Sequence, residues 1–500
     1  MASAPPAPHP RSGDFDVVIA GGGPTGLTLA AELAIARVSA AVVERRPTQE
    51  LPGSRAGGLQ ARTIEFYDQR GVAERFLSAG AVTQVNGFAG APIDISDFPT
   101  RHPYGLALWQ NVFEEILAGW VAELPVELLR GREVTGFKQD EAGVDVELAD
   151  GRSLRAQYLV ACDGGRSVVR KAAAIPFTGW DATQSSLIAE VQLTGEPELG
   201  IKRDARGQHG LGPIEDSGYF RVVVREADAR EQAEPTLDTL VDAMRAVWGT
   251  DFGVHSPRWL SRFSDAARQA ESYRAGRVFL AGDAAHVHSP VGGQGLNTGV
   301  QDAANLGWKL AQVIRGWSPD ALLDTYHAER HPIAARVLQT TLAQTILMPD
   351  DDRTSAARDM VAELVAMDGP RRHLGGLFSQ LSLRYDLGGG HPLVGRRMPD
   401  LDLSAGDGQA LRVYELLREA RPLFLDFEQR GTGPAAEWSG RVHCVDAAYE
   451  GSWELPAVGV VDAPAAVLVR PDGYVAWAGE PGDPGLTSAL RAWFGAPPTG

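Results

Sequence analysis

The chain opens, after a polar and Pro-rich start, on the run Asp16-Val-Val-Ile-Ala20, which is short, apolar and β-branched. That is the pattern of a strand buried on both faces. It passes into Gly21-Gly22-Gly23-Pro24-Thr25-Gly26 and then into a stretch from Leu27 to Arg37 in which Leu29, Leu33 and Ile35 stand among small Ala residues. This predicts a helix able to pack closely on a sheet. A second apolar strand, Ala40 to Val43, ends in Glu44. Two later segments repeat the beginning of this pattern. Tyr158-Leu-Val-Ala-Cys162 breaks at Asp163-Gly164-Gly165-Arg166-Ser167, and Arg277-Val-Phe-Leu-Ala281 breaks at Gly282-Asp283. Thr298 to Ile314, with apolar Val300, Ala304, Leu306, Leu310 and Ile314, predicts a further helix, and another is predicted over Leu322 to Arg336, with more running to about Leu387. Between Ile175 and Tyr273 the period changes to two, as in Gly218-Tyr-Phe-Arg-Val-Val-Val-Arg225, which predicts a largely antiparallel sheet with one wet face. Gly388-Gly389-Gly390 reads as a linker, and Ala466 to Trp477 as a hairpin around Pro471-Asp472-Gly473.

The N-terminal unit is strand, glycine turn, helix, strand, with GxGxxG glycines at 21, 23 and 26 and Pro24 and Thr25 inside the turn. Gly21 permits the tight turn, Gly23 lets backbone approach a pyrophosphate, and Gly26 lets helix and strand pack. The helix N-terminus supplies amide donors. Glu44, some twenty residues on, is placed to accept from a ribose hydroxyl. Taken by itself the unit fits NAD and FAD equally. Asp163 alone reads as an Asx-turn residue and Asp283 alone as a helix cap; their occurrence together with the N-terminal unit points to one nucleotide site. His286 and His288 lack a third ligand of suitable spacing, so no metal is expected and both read as structural. The segment Pro290-Val-Gly292-Gly293-Gln294-Gly295-Leu296-Asn297 would aim a helix N-terminus and several backbone amides at whatever lies above it, a place suited to negative charge.

In these three widely spaced fingerprints the chain resembles the class A FAD-dependent aromatic hydroxylases, the p-hydroxybenzoate and phenol hydroxylase type, and within them the bacterial aromatic polyketide hydroxylases acting on angucyclinones and anthracyclinones. The resemblance implies an α/β fold: a Rossmann-like FAD-binding domain (1–175 and 274–390, with the following helices), an inserted, mostly antiparallel β-sheet substrate domain (176–273) and a C-terminal thioredoxin-like domain (391–500). It also implies that Asp163-Gly164 lies near FAD and the NAD(P)H route, that Asp283 holds the ribityl chain, and that Gln110 approaches the ribityl or phosphate. Arg45 and Arg55 are implied at the adenosine and flavin ends. Trp259 to Phe263 resembles the return from the sheet domain. The implied cycle is reduction of bound FAD by NADPH or NADH, addition of O2 at C4a to give a hydroperoxide, and transfer of its distal oxygen to a polycyclic phenol. No catalytic base is marked by any motif. Baeyer–Villiger insertion or epoxidation on the same fold, and a flavin-binding pathway partner without turnover, are the alternatives.

Composition narrows the partners. With 44% hydrophobic and 22% charged residues the chain is globular, and its 500 residues call for two or three domains. A formal charge of -17 argues against nucleic acid and anionic membrane surfaces, and no apolar run approaches the length of a membrane span. Cys162 and Cys444 offer neither a disulfide framework nor a CxxC, which excludes thioredoxin-like redox chemistry and fits a reducing cytoplasm. A monomer or homodimer is expected. Tyr219, Phe220, Trp259 and Phe263 are candidates for an aromatic pocket, with packing in the core the better expectation.

Overall fold

The computed structural model describes residues 14–498 apart from positions 52, 55, 85–86, 89, 215–216, 227–232, 350 and 406–407. It is a mixed α/β structure. The central sheet runs in the order Val278–Leu280, Ser153–Ala161, Asp14–Ala20, Ala40–Glu44, Val126–Arg130, with every one of these neighbours parallel. Parallel strands have helices on their faces and are buried on both sides, which is why Val17 to Ala20 carries no polar residue and has almost no exposure. An antiparallel pair, Val134–Gln139 and Val144–Leu148, continues the sheet from the N-terminal half of Ser153–Ala161.

The helix Pro24–Ile35 packs on this sheet together with Gln294–Ile314. It begins at Pro24, not at Leu27 as the apolar pattern predicts, because proline at the first helical position has its φ preset and no amide to satisfy. It ends before Arg37, whose φ is +56°. The later helix likewise starts at Gln294, ahead of the predicted Thr298. Gly292 and Gly293 take left-handed φ values of 79° and 61°, and the helix is launched from Gly293. The predicted helix from Leu322 is a 3-10 turn, Asp320–Leu323, followed by Asp324–Ile346 with Pro332 inside it. Beyond it lie Asp352–Val365 and Asp368–Phe378; residues 379–387 are not helical, contrary to expectation, and Gln380 has φ +61°.

The alternating region forms a five-stranded antiparallel sheet, Gly200–Asp204, Gly207–Ile214, Tyr219–Arg225, Ser185–Gln192 and His255–Ser264 in spatial order. Leu187, Ala189, Val191, Val222 and Val224 on one face pack against Leu240, Met244 and Val247 of the helix Leu237–Trp248. Trp259 to Phe263 lies inside the edge strand, so it is part of this sheet and not the return from it. The return is Ala267–Ala270, which pairs antiparallel with the outgoing strand Phe177–Trp180. After residue 400 a six-stranded sheet contains Leu423–Asp426 parallel to His443–Ala448 and the hairpin Ala466–Val469 with Val475–Gly479, flanked by the helix Pro484–Phe494. Among the described residues no helix is long and apolar enough to cross a membrane.

Candidate functional site

Parallel register brings the motifs together. Ala20 pairs with Val43 on one side and Ala161 on the other, and Ala161 pairs with Leu280. The carboxyl ends of four adjacent strands therefore lie in one row, and immediately after them come Gly21–Gly23, Glu44, Asp163 and Gly282-Asp283. A crevice beyond the carboxyl ends of parallel strands is where α/β sheets bind nucleotides.

The glycines divide by cause. Gly21 has φ +105°, and a Cβ there would fall 2.3 Å from the Cys162 carbonyl oxygen; a Cβ on Gly26 would fall 2.0 Å from the Gly21 carbonyl oxygen. Both are demanded by the fold. Gly23 is different, since its φ of -82° and ψ of -172° suit any residue and a Cβ there would have no atom of the described residues within 4 Å. Gly164 and Gly293 also face open space. Asp283, Pro290, Gly292 and Gly293 are exposed toward solvent at the same end of the sheet. Asp163 uses Oδ2 to accept from the amides of Val168 (2.8 Å) and Val169 (3.2 Å), while its Oδ1 is buried without a hydrogen-bond partner among the described residues. A side-chain-free cradle and an orphaned acceptor fit a dinucleotide.

Glu44 is buried, accepting from the Gly22 amide at 2.6 Å and from the Arg46 amide and Nε at 2.9 and 3.0 Å. Burial works against its charge, but these two amides and the Arg46 guanidinium outweigh it and hold the carboxyl below its ordinary range. Arg46 also reaches Glu114 (3.0 Å) and the Gly22 carbonyl (3.2 Å). Arg45, the residue the resemblance implies, is exposed, and its neighbour Arg46 is the one turned inward; adjacent arginines are indistinguishable in sequence until the strand end fixes which one turns. Burial pushes the Glu114 carboxyl up. Gln110 stands at the start of Gln110–Ala122, where its amide N–H bonds Ser54 Oγ (2.9 Å) and its side chain donates to Glu114 (2.8 Å). Arg55 lies outside the described residues.

The segment 290–297 is fixed from beneath. Asn297 accepts from the Gln60 amide (2.9 Å) and donates to the Gly293 and Gly58 carbonyls (2.8 and 3.2 Å). Gln294 donates to the Phe378 carbonyl (3.0 Å) and is buried. Thr25 Oγ1 fills the space a Cβ would need at Gly282 and Gly299. Leu296 packs beside the cluster that holds Leu27 and Val300, and Gly295 lies against the His288 ring. Burial lowers His288 to about 4, so it is neutral at pH 7.

No sequence motif marks Asp302 or Arg330 as part of this site. Asp302, fully buried, accepts from the Gly282 amide (3.1 Å), His286 Nε2 (2.7 Å) and Arg330 Nε (2.7 Å), and Arg330 also donates to the Thr298 carbonyl. Burial opposes the Asp302 charge, and Arg330 followed by His286 more than offsets it. This group ties the Gly282-Asp283 turn to the helix that starts at Gln294. Among the described residues no three His, Cys, Asp or Glu side chains cluster as metal ligands.

The second face of the five-stranded sheet meets the segments flanking this site at two points, Trp259 on Gly53 and Arg221 on Trp109. Here Tyr219, Trp259 and Phe263 are half-buried and belong to no core cluster, whereas Phe220 points to the helix side and packs there. The expectation of core packing thus holds for Phe220 alone, because strand alternation sends 219 and 220 to opposite faces. Trp259 rests on the backbone of Gly53, where a Cβ would meet its ring at 2.0 Å.

The comparisons agree with this geometry. Residues 14–341 match the family described as FAD binding domain, and residues 391–497 match that described as aromatic-ring hydroxylase, C-terminal. The chain belongs to the FAD-binding aromatic-ring hydroxylase family and is an FAD-dependent monooxygenase, with NAD(P)H the reductant typical of that family. It is 48% identical to a rifampicin monooxygenase of Streptomyces venezuelae over 97% of this chain and 100% of the relative. It is similar to the solved structure of the OxyS anhydrotetracycline hydroxylase from Streptomyces rimosus, at 43% identity and TM-score 0.88, covering 97% of this chain and 100% of that one. It is also 38% identical to a dialkyldecalin synthase of Streptomyces rugosporus, over 96% of this chain and 98% of the relative.

Proposed function

We propose that this enzyme hydroxylates a polycyclic aromatic polyketide of the angucyclinone or anthracyclinone kind, with NADPH as reductant. The observation that carries the reading is the row of four strand ends bearing Gly21–Gly23, Glu44, Asp163 and Asp283, and the half-buried aromatic face of the five-stranded sheet supports it. Similarity to proteins named for anhydrotetracycline and rifampicin supports the substrate class.

In this reading Gly21, Gly23 and Gly26, with Pro24 and Thr25, form the pyrophosphate turn, Glu44 takes a ribose hydroxyl, and Asp283 takes the ribityl chain. Arg45, Arg55 and Gln110 belong to its flanks. The amides following Pro290 and Gly292, at the start of the helix that opens Gln294-Gly295-Leu296-Asn297, stabilise negative charge on the reduced ring. The chemistry supplied by bound FAD is acceptance of hydride from NADPH, activation of O2 and delivery of one oxygen atom to an electron-rich ring carbon. The chain holds the ring in place and keeps water out. We assign the FAD-binding part to 1–175 and 274–390, the substrate sheet to 176–273, and a thioredoxin-like scaffold without CxxC to 391–500.

The test is to incubate the yellow enzyme with NADPH, O2 and a panel of tri- and tetracyclic phenols. The expected result is substrate-dependent O2 uptake and a product heavier by one oxygen. The similarity to a dialkyldecalin synthase favours one second reading, a flavoprotein that shapes its product without net oxidation; flavin binding with no O2 or NADPH consumption for any panel member would support it and overturn the first. Ring expansion with the same mass gain would instead identify Baeyer–Villiger insertion.

A further inference from the structure

The crevice face of the five-stranded sheet carries an arginine whose hydrogen bonding is incomplete. Arg221 gives Nη2 to Glu190 (2.5 Å), but its Nε and Nη1 are buried without a partner among the described residues. Buried donors are nearly always satisfied, so an unsatisfied pair on a functional face needs a reason. Glu190, 3% exposed, is shared: its other oxygen lies 2.6 Å from Arg258. One carboxylate thus serves two guanidinium groups and leaves one positive charge over, in a chain whose net charge is -17. Across the crevice the Trp109 ring stacks on Arg221, with the guanidinium carbon 3.8 Å from the ring centre, and Gly57 gives the indole room, since a Cβ there would stand 2.8 Å from it. Trp109 is 50% exposed and is held by no capping bond.

We propose that Arg221 is the substrate-anion contact of this site: it binds the phenolate or enolate oxygen of the flat substrate, and Trp109 covers the guanidinium until a substrate ring takes its place. The inference rests on the polycyclic-aromatic reading above. A cation–π contact at a half-exposed site is worth roughly two- to fivefold in affinity, whereas hydrogen bonds to a charged oxygen are worth roughly ten- to a hundredfold. An anionic ring therefore displaces the indole. The phenolic proton leaves to solvent, and the ring carbons become electron-rich without a dedicated base, which accounts for a chain in which no motif marks one. The substrate class is accordingly an acidic phenol or enolised diketone, not a neutral arene.

The test uses the oxidised holoenzyme without NADPH, with 2-hydroxyanthraquinone as a probe whose colour reports its ionisation and 2-methoxyanthraquinone as the non-ionising control. In the wild type the midpoint of phenol ionisation should fall by about one pH unit or more, a tenfold shift in the equilibrium. Arg221→Met should return the midpoint to its free-solution value and weaken phenol binding about tenfold while leaving the methyl ether unaffected. Arg221→Lys should be intermediate. Glu190 keeps Arg258 in these variants, so they fold, which the flavin spectrum and thermal melt check. An unchanged midpoint in Arg221→Met, or equal loss of both probes, overturns the proposal alone. If the wild type binds neither compound, the proposal falls together with the polycyclic-aromatic reading.

Discussion

Gly23 allows the nucleotide site to be separated from the fold. Replacing it by Val builds a Cβ that has no atom of the described residues within 4 Å, on backbone at φ -82° and ψ -172°, where β-branched residues are comfortable. The unfolded chain loses freedom, which stabilises by about 0.4–1 kcal/mol, and a helix start loses its preferred glycine, at a cost of about the same size. The apoprotein should therefore melt within about 1 kcal/mol of wild type. A pyrophosphate passing over that backbone would meet the new methyl groups, and overpacking of a fitted contact costs about 1–3 kcal/mol, or roughly 5- to 150-fold in FAD affinity. Gly21→Ala is the control with the opposite signature. Its φ of +105° and the 2.3 Å approach to the Cys162 carbonyl make it a folding mutation, with about 1–3 kcal/mol from the backbone alone. The assay is FAD titration of each apoprotein by flavin fluorescence, beside apo-state melts so that stabilisation by ligand does not confuse the comparison. Wild-type FAD affinity in Gly23→Val, or collapse of its apo fold, would refute the reasoning.

Other consequences follow from the same geometry. Asp283→Ala, at an exposed position, should give folded protein with reduced visible absorbance per chain after purification. Asp302→Asn should leave the buried Arg330 without its anion and unpin Gly282, costing about 3–5 kcal/mol in a denaturant titration of the apoprotein. Burial raises the Glu329 carboxyl, but Arg470 and then Lys309 outweigh burial and bring it from 4.5 to about 2. Its folded value lies below its unfolded one, so its contribution, on the order of 3 kcal/mol, is complete above pH 4.5 and lost as the pH falls toward 2. Glu329→Gln should flatten that part of the pH–stability profile. Arg470→Met should lower thermal stability more than a surface substitution does, measured by the apo-state melt, because Glu329 and Asp472 both lose a buried partner at 2.5–2.9 Å.

The strands that end at the crevice are legible because each is a short, apolar run broken by glycine and acid, and because the three stand together in one chain. Helix ends were less legible: Pro24 and Gly293 start their helices earlier than the apolar period, which carries no information about caps. The least legible feature is the helix Gln294–Ile314. Thr298, Asp302, Asn305, Lys309 and Gln312 recur at helical spacing and would be taken for its wet face, yet all are buried. Their partners come from far along the chain. Arg330 serves Asp302, while Glu329 accepts from Lys309 (3.1 Å) and Asn305 (2.6 Å) and is held in turn by Arg470 at 2.7 Å. A period of 3.6 shows that one side of a helix is polar, but not whether water or another helix satisfies it.

That buried polar face also gives the segment after residue 391 a physical task. Arg470 and Asp472 sit at the turn between Ala466–Val469 and Val475–Gly479, and from there they complete the charges of Glu329 and Lys309 beneath the helix whose first turn borders the crevice. Burial lowers Lys309 to about 8, so its ammonium is retained at neutral pH only with those carboxylates beside it. Trp308 and Leu322 pack in one cluster with Phe424, Leu468 and Trp477, which adds an apolar seam to the ionic one. A buried ion pair split between two segments is costly to separate, because each half would be left with an uncompensated charge. The C-terminal sheet is therefore a structural complement of the helix that borders the crevice, and deleting it should cost the whole chain its solubility before it affects any chemistry.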